Sequence, residues 1–202
     1  MNAKDKEFYG IYAQRLIEIE QLLYTQISRM LNIVSSDPET ALAEHLKTRI
    51  KDSDSLKEKL RRNDLPQTAE AGLLNLSDIV GARIVTHFVG DIYTVLEMIT
   101  ECDQWELVTV KDYIADPKPN GYRSLHMILC VPFEVGDIPT IDVEIQLRTI
   151  AQDCWASLEH QLKYKKRIHN TDLIVSELKR CADEMASTDL TMQTIRDLIR
   201  NT

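Results

Sequence analysis

The sequence has little that would tie it to a secreted, membrane-bound or metal-ribbon protein. Its four cysteines, Cys102, Cys130, Cys154 and Cys181, stand far apart with no close pair. That supports neither a disulfide framework nor a zinc ribbon, and reads as reduced packing residues. No apolar run approaches membrane-spanning length, and the opening Met1-Asn2-Ala3-Lys4-Asp5-Lys6 lacks the hydrophobic block of a signal peptide. A cytoplasmic protein with no membrane attachment is the expectation. Internal repeats and low-complexity tracts are missing too. Positive charge is in deficit, with a formal net charge of −8, which argues against broad nucleic-acid binding because that needs a positive footprint to release counterions.

What is present is a chain of 202 residues, 44% hydrophobic, long enough for one substantial core. Against the acidic background two basic clusters stand out. Lys47, Arg49, Lys51, Lys57, Lys59, Arg61 and Arg62 form the first, and Lys163-Tyr164-Lys165-Lys166-Arg167 the second. The second falls at an expected helix end, where cations meet the negative pole of the dipole, and is read as structural.

Apolar residues recur at helical spacing from Phe8 to about Val34, ended by Ser35-Ser36-Asp37-Pro38. A segment around Glu39 to Leu46 leads to a second helix, expected from an N-cap at Ser53 to about Arg62. The centre alternates: strand Ala82 to Phe88, helix Asp91 to about Glu101, then strands Trp105 to Tyr113, Leu125 to Val131 and Thr140 to Leu147. Helices follow from about Ile150 to Lys165 and from about Leu173 to Ile199, the last with Leu173, Leu178, Cys181, Met185, Ile195 and Leu198 along one side. This order gives an α/β (α+β) fold, a mixed sheet of about five strands surrounded by helices. The regions are 1–40 (N-terminal helical), 41–168 (α/β core) and 169–202 (C-terminal helical). Amphipathic terminal helices suit a homo-oligomer, or else fold back on their own sheet.

Chemistry gathers in three places. The turn from Lys118 to His126 carries Pro119, Asn120 and Gly121 and runs into a strand, so Lys118, Asn120, Tyr122, Arg123 and His126 sit on a rigid edge. Tyr122 offers a face for a base, and Lys118, Arg123 and His126 can donate to phosphate oxygens; a decorated β-turn is the bland alternative. Around Arg49 and Lys51, Ser55, Lys59 and Arg62 fall at i, i+4 and i+7 with Leu56 and Leu60 beside them, making a cationic wall whose helix N-terminus adds free N–H groups for an anion. A solvated charged face is the alternative. Third, Asp78 precedes an apolar strand, and Ile141 to Arg148 alternates strictly, with Ile141, Val143, Ile145 and Leu147 inward and Asp142, Glu144, Gln146 and Arg148 on the open face. Two carboxylates brought together need a cation between them, and Mg²⁺ suits oxygen ligands and phosphates. Separately, Glu144 reads as the solvent face of an edge strand and Asp78 as turn chemistry. Arg83 either stacks on a base or pairs with a buried carboxylate.

Arg49-Ile50-Lys51 with Ser55 and Lys59, Asp78-Ile79-Val80-Gly81-Ala82-Arg83, Lys111-Asp112-Tyr113-Ile114, Lys118 to His126, Glu144-Ile145-Gln146-Leu147-Arg148-Thr149 and Trp155-Ala156-Ser157-Leu158-Glu159-His160 occur in that order. Together they resemble the synthetase domain of the RelA/SpoT family, in particular its stand-alone small alarmone synthetases. The resemblance implies Mg²⁺-dependent transfer of the β,γ-pyrophosphate of ATP to the 3′-hydroxyl of GDP or GTP. It implies Arg49 and Arg83 on adenine, Lys51, Ser55, Lys59 and Arg62 on the ATP phosphates, and Tyr122 on guanine. Lys111, Lys118, Asn120, His126 and Gln146 fall to the acceptor, Asp78 and Glu144 to Mg²⁺, and Glu144 also to the role of general base. Asp153 stands where related small enzymes can have asparagine near guanine, and Thr109 where long members often have arginine. With 48 residues before Arg49, neither the family's hydrolase domain nor a ribosome-binding domain is expected. A homotetramer is. A competing expectation is a nucleotide- or single-stranded-RNA-binding regulator that uses the same site without turnover.

Overall fold

The computed structural model describes residues 1–34, 41–164 and 171–201. The expected break at Ser35-Ser36-Asp37-Pro38 lies outside them, as do Lys165, Lys166 and Arg167 of the second basic cluster. Among the described residues five strands and seven α-helices are formed: α1 (Ala3–Tyr9), α2 (Ala13–Val34), β1 (Ala43–Ile50), α3 (Ser53–Arg62), α4 (Ala69–Asn75), β2 (Val80–Thr86), α5 (Val89–Thr100), β3 (Glu106–Asp112), β4 (Leu125–Val135), β5 (Ile138–Thr149), α6 (Ile150–Tyr164) and α7 (Thr171–Arg200). The strands form one mixed sheet in the order β1-β2-β5-β4-β3, with β2 and β5 parallel and every other pair antiparallel.

The first helix is not continuous from Phe8. Asn2 caps α1 by accepting the Asp5 N–H, and Gly10 ends it at φ 52°, in the left-handed region that glycine tolerates; a single 3-10 turn follows before α2. On α2 the residues Leu16, Ile19, Leu23, Ile27 and Leu31 are buried and pack with the sheet in one core. Each such side chain withdrawn from water contributes about 1.5–3 kcal/mol. From the sheet, Ala82, Ile84, Leu125, Met127, Leu129, Val143, Ile145 and Leu147 fill that same core.

Glu144 lies on a central strand, not at an edge, and the edge beside β2 is β1, which sequence reasoning left as a connecting segment. Its residues Ala43–Ile50 are mostly polar, as suits an edge that must not recruit another chain. The α7 stripe divides. Leu178, Cys181 and Met185 pack with Trp155, Ala156, Ala182 and Tyr122 in a second cluster, whereas Leu173, Ile195 and Leu198 are exposed. Cys154 is exposed rather than packed. Among the described residues no helix is long and apolar enough to cross a membrane.

Strand register lines up one polar row across the whole sheet. Lys47 pairs with Arg83, Arg83 with Gln146, Gln146 with His126 and His126 with Lys111. The row beside it holds Arg49 opposite Gly81 and Gly81 opposite Glu144. Side chains two apart on a strand share a face, so these residues stand on the side of the sheet opposite the core.

Candidate active site

Above that face lies a cleft of about 760 Å³ lined by Arg49, Lys51, Ser55, Arg62, Arg83, Tyr122, Gln146 and Arg148, with Ser157, Glu159, His160 and Gln161 from α6. A second cleft of about 210 Å³ shares Arg49, Arg83 and Gln146 with it and reaches Asp78, Gly81 and Glu144. The two cavities therefore bring the cationic wall, both carboxylates and the tyrosine to one continuous surface. A Cβ added at Gly81 would lie 3.3 Å from the Glu144 carbonyl oxygen, so glycine keeps this floor open.

Helix α3 presents the wall as expected, with Leu56 and Leu60 fully buried beneath it. Its N-terminus differs. The cap is Asp52, whose Oδ1 accepts the Ser55 N–H at 2.9 Å, and the Ser53 N–H donates to buried Asp5 Oδ1 at 2.8 Å. The chain's own carboxylates thus occupy the donors expected to hold an anion. Helix α1 also braces the wall, because the Tyr9 hydroxyl donates to the Lys51 carbonyl at 2.7 Å.

Asp78 Oδ2 accepts from Lys51 Nζ at 2.6 Å and from Lys59 Nζ at 2.8 Å. Burial alone would push its carboxyl pKa up; the two ammonium groups outweigh burial and hold it below the usual range. Its other oxygen, Oδ1, is buried and has no hydrogen-bond partner among the described residues. Glu144 is pushed up by burial and, to a smaller degree, by Asp78, yet His126 and then Gln146 bring it below its ordinary value. Both acids are therefore ionised at neutral pH. Among the described residues no group of three or more His, Cys, Asp or Glu gathers, so an all-protein cage is not on offer. A buried, unpartnered carboxylate oxygen beside a second carboxylate fits Mg²⁺, which takes one or two carboxylates and completes its shell with water and phosphate.

Beside Glu144 the side chains close into a hydrogen-bonded ring. Arg148 Nη2 donates to the Tyr122 hydroxyl at 2.7 Å and to Gln146 Oε1 at 3.0 Å. The Tyr122 oxygen lies 2.8 Å from His126 Nε2, His126 Nδ1 lies 3.1 Å from Glu144 Oε1, and Gln146 Nε2 donates to Glu144 Oε2 at 2.7 Å. Arg148, placed on the open face by alternation, is buried: its Nη1 also pairs with Asp153 Oδ1 at 3.0 Å and its Nε donates to Ser124 Oγ. Arg83 meets the same Asp153 oxygen at 3.1 Å, so of the two fates open to Arg83 the structure shows the ion pair. Burial and then the nearby Arg148 charge lower the Arg83 pKa against the pull of Asp153, though a guanidinium this basic stays charged.

The turn before β4 is held by the Lys118 N–H to the Tyr122 carbonyl and the Gly121 N–H to the Lys118 carbonyl. Gly121 has φ 88°, and a Cβ there would come within 2.6 Å of the Ala182 Cβ, so the turn packs directly on α7. Lys118 Nζ sits 4.5 Å from the Tyr113 ring centre and 4.9 Å from that of Tyr122. Asn120 accepts the Tyr122 N–H and donates to Glu159, while Lys111 is exposed on β3 beside His126. Arg123 does not face the cleft as a phosphate donor: it pairs with Asp183 of α7 at 2.9 Å. Sequence reasoning gave no role to Arg148 or to the cleft-facing residues of α6. Two signals were available: Arg148 continues the polar alternation of β5, and Arg148 and Trp155 to His160 lie within the blocks that carry the family resemblance.

Cations facing two carboxylates across one cleft are how phosphoryl-transferring enzymes hold and neutralise polyanionic substrates, and that is the class of protein to which fold and cleft point. Comparison with known proteins narrows the class. The region found in RelA/SpoT proteins matches residues 48–169, and the chain belongs to that family. It is 41% identical over 141 residues to GTP pyrophosphokinase YwaC of Bacillus subtilis, covering 69% of this chain and 67% of that one. It is 36% identical over 149 residues to GTP pyrophosphokinase YjbM of the same organism, covering 73% and 69%. Among solved structures, small alarmone synthetase 1 from B. subtilis bound to its product pppGpp superposes with a TM-score of 0.81 at 29% identity, covering 96% of this chain and 97% of that one. Small alarmone synthetase 2 gives 0.77 at 34%, covering 92% and 98%.

Proposed function

We propose that the protein is a GTP pyrophosphokinase that transfers the β,γ-pyrophosphate of ATP to the 3′-hydroxyl of GDP or GTP, forming guanosine tetra- or pentaphosphate and releasing AMP. The observation that carries this is the meeting, at one cleft floor, of unpartnered Asp78 Oδ1 with Glu144 beneath a wall of Arg49, Lys51, Ser55, Lys59 and Arg62. A pure anion binder gains nothing from two ionised carboxylates facing phosphate. Asp78 and Glu144 would hold Mg²⁺, which supplies charge neutralisation at the transferring phosphates.

In this reading Arg49 flanks adenine together with Arg83, whose ion pair with Asp153 leaves its planar face available for stacking, and Lys51, Ser55, Lys59 and Arg62 hold the triphosphate. Tyr122 stacks on guanine, with Lys111, Lys118, Asn120, His126, Gln146 and Asp153 around the acceptor's ribose, phosphates and base. Glu144, ionised and fixed by two donors, accepts the proton of the 3′-hydroxyl as that oxygen attacks the β-phosphorus. The AMP oxygen departs on the opposite side, so most of the rate enhancement comes from alignment and charge. A homotetramer is part of the proposal, supported by exposed Leu190, Met192, Ile195, Leu198 and Ile199 on α7.

Incubation of purified protein with ATP, Mg²⁺ and GDP or GTP, followed by separation of the nucleotides, is expected to yield alarmone and AMP in equal amounts. Tight nucleotide binding without AMP release would replace the proposal by a regulator, and release of pyrophosphate by a nucleotidyltransferase. Following the product over time checks the expected lack of hydrolysis.

A further inference from the structure

Arg148 is 4% exposed and uses four donor contacts, to Ser124, Asp153, Tyr122 and Gln146. A guanidinium can only donate and an ionised carboxylate can only accept, and the ring has one at each pole. With a neutral imidazole on His126 every bond between them then has one direction, since Glu144 takes only an Nδ1–H and leaves Nε2 to accept. On one arm the Tyr122 oxygen accepts from Arg148, the phenol proton points to His126 Nε2, and His126 presents Nδ1–H to Glu144. On the other, Gln146 accepts through Oε1 from Arg148 and donates through Nε2 to Glu144. With a neutral imidazole the ring closes only with the Nδ1–H tautomer, the reverse of the one free histidine favours.

We propose that Arg148 is a positioning residue for the transfer reaction. It aims both arms of the ring at Glu144, so that the base faces substrate rigidly held with each carboxylate oxygen engaged by a ring donor. Through Asp153 and Arg83 it also ties the acceptor half of the cleft to the donor half. The inference rests on reading Glu144 as the acceptor of the 3′-hydroxyl proton. Lysine at 148 would keep a donor-only cation but could not span all four partners. Glutamine would introduce an acceptor that lets the Tyr122 proton turn away from His126.

Two measurements test this. In ligand-free protein labelled with ¹⁵N-histidine, at a pH where imidazole is neutral, His126 is expected as the Nδ1–H tautomer. Finding Nε2–H overturns the assigned direction whether or not the protein makes alarmone, so failure here is distinct from failure of the proposed function. In steady-state kinetics Arg148→Gln is expected to lower kcat ~10–100-fold, the scale of one buried hydrogen bond to a charged group, with Arg148→Lys recovering part of it. Equal kcat in the two variants overturns the proposal. Should the Arg148 variants not fold, Tyr122→Phe keeps the ring face and removes the hydroxyl that links Arg148 to His126. A kcat loss of the same size with the KM for GDP within about 3-fold of wild type is expected there; a raised KM at unchanged kcat overturns the proposal.

Discussion

Glutamine in place of Glu144 separates folding from chemistry, and the ring dictates what the substitution does. Gln146 has its Oε1 committed to Arg148, so its Nε2 requires an oxygen opposite it. The new carbonyl must face Gln146 and the new amide must face His126. There the amide meets Nδ1, which can accept only if the imidazole proton moves to Nε2 and donates to the Tyr122 oxygen, which still has acceptor capacity. The variant thus finds a complete set of partners after one tautomer exchange. Two hydrogen bonds to a charged acceptor, each contributing about 1.5–3 kcal/mol, become neutral ones of about 0.5–1.5. Relief of a buried carboxylate's desolvation offsets part of that loss, leaving a net cost of about 1–2 kcal/mol and a Tm lower by about 2–8 °C for a chain of this size. Loss of the general base alone should lower kcat about 10²–10⁴-fold. AMP release and product formation are read by chromatography beside a thermal melt of the same preparation. A well-folded Glu144→Gln protein that stays within about tenfold of wild-type kcat would refute the role of Glu144, and a variant unfolded at the assay temperature would refute the ring's capacity to rearrange.

Other consequences are open to direct measurement. Tyr9→Phe removes the donor to the buried-side carbonyl of Lys51 and is expected to cost about 1–2 kcal/mol in chemical denaturation, raising the KM for ATP while leaving that for GDP unchanged. Asp78→Asn leaves Lys51 and Lys59 facing each other without a counter-charge and should cost about 3 kcal/mol. Because the folded pKa of Asp78 is depressed, its stabilisation is complete above the unfolded carboxylate value of about 4 and is lost as pH falls through the lower folded value. Urea unfolding at stepped acid pH should show a shallower decline in Asp78→Asn than in wild type. Ile199→Asp, at a side chain 71% exposed on α7, is expected to reduce the sedimenting species below a tetramer without lowering helix content; an unchanged size removes this face from the assembly.

Much of the fold is legible in the residues themselves, because β4 and β5 carry apolar runs and strict alternation that only a half-buried strand explains. β1 and α4 are not. In β1 the charged edge residues mask the period, and α4 is only seven residues long, capped by Thr68 and seated through Gly72 against Leu56 and Ile79. Helix α1 merges with α2 in the sequence because nothing in the apolar spacing marks the turn at Gly10. For the site, residue types and spacing single out the wall, the turn and the acids one by one. Their union depends on register: Tyr122, His126, Gln146 and Arg148 meet because β4 and β5 pair antiparallel at one particular offset, and Asp153 joins them only because α6 starts directly where β5 ends. Arg123 shows the reverse case, a well-placed cation whose partner on α7 cannot be anticipated from local pattern.

The polar row from Lys47 through Arg83, Gln146 and His126 to Lys111 takes one residue from every strand of the sheet. A slip of one residue in any pairing would turn that strand's member to the opposite face and carry its core residues into water. Sheet assembly is thereby self-checking. A chain that has mispaired even one strand presents an incomplete row, so the polar face of the cleft exists only on the correctly paired sheet.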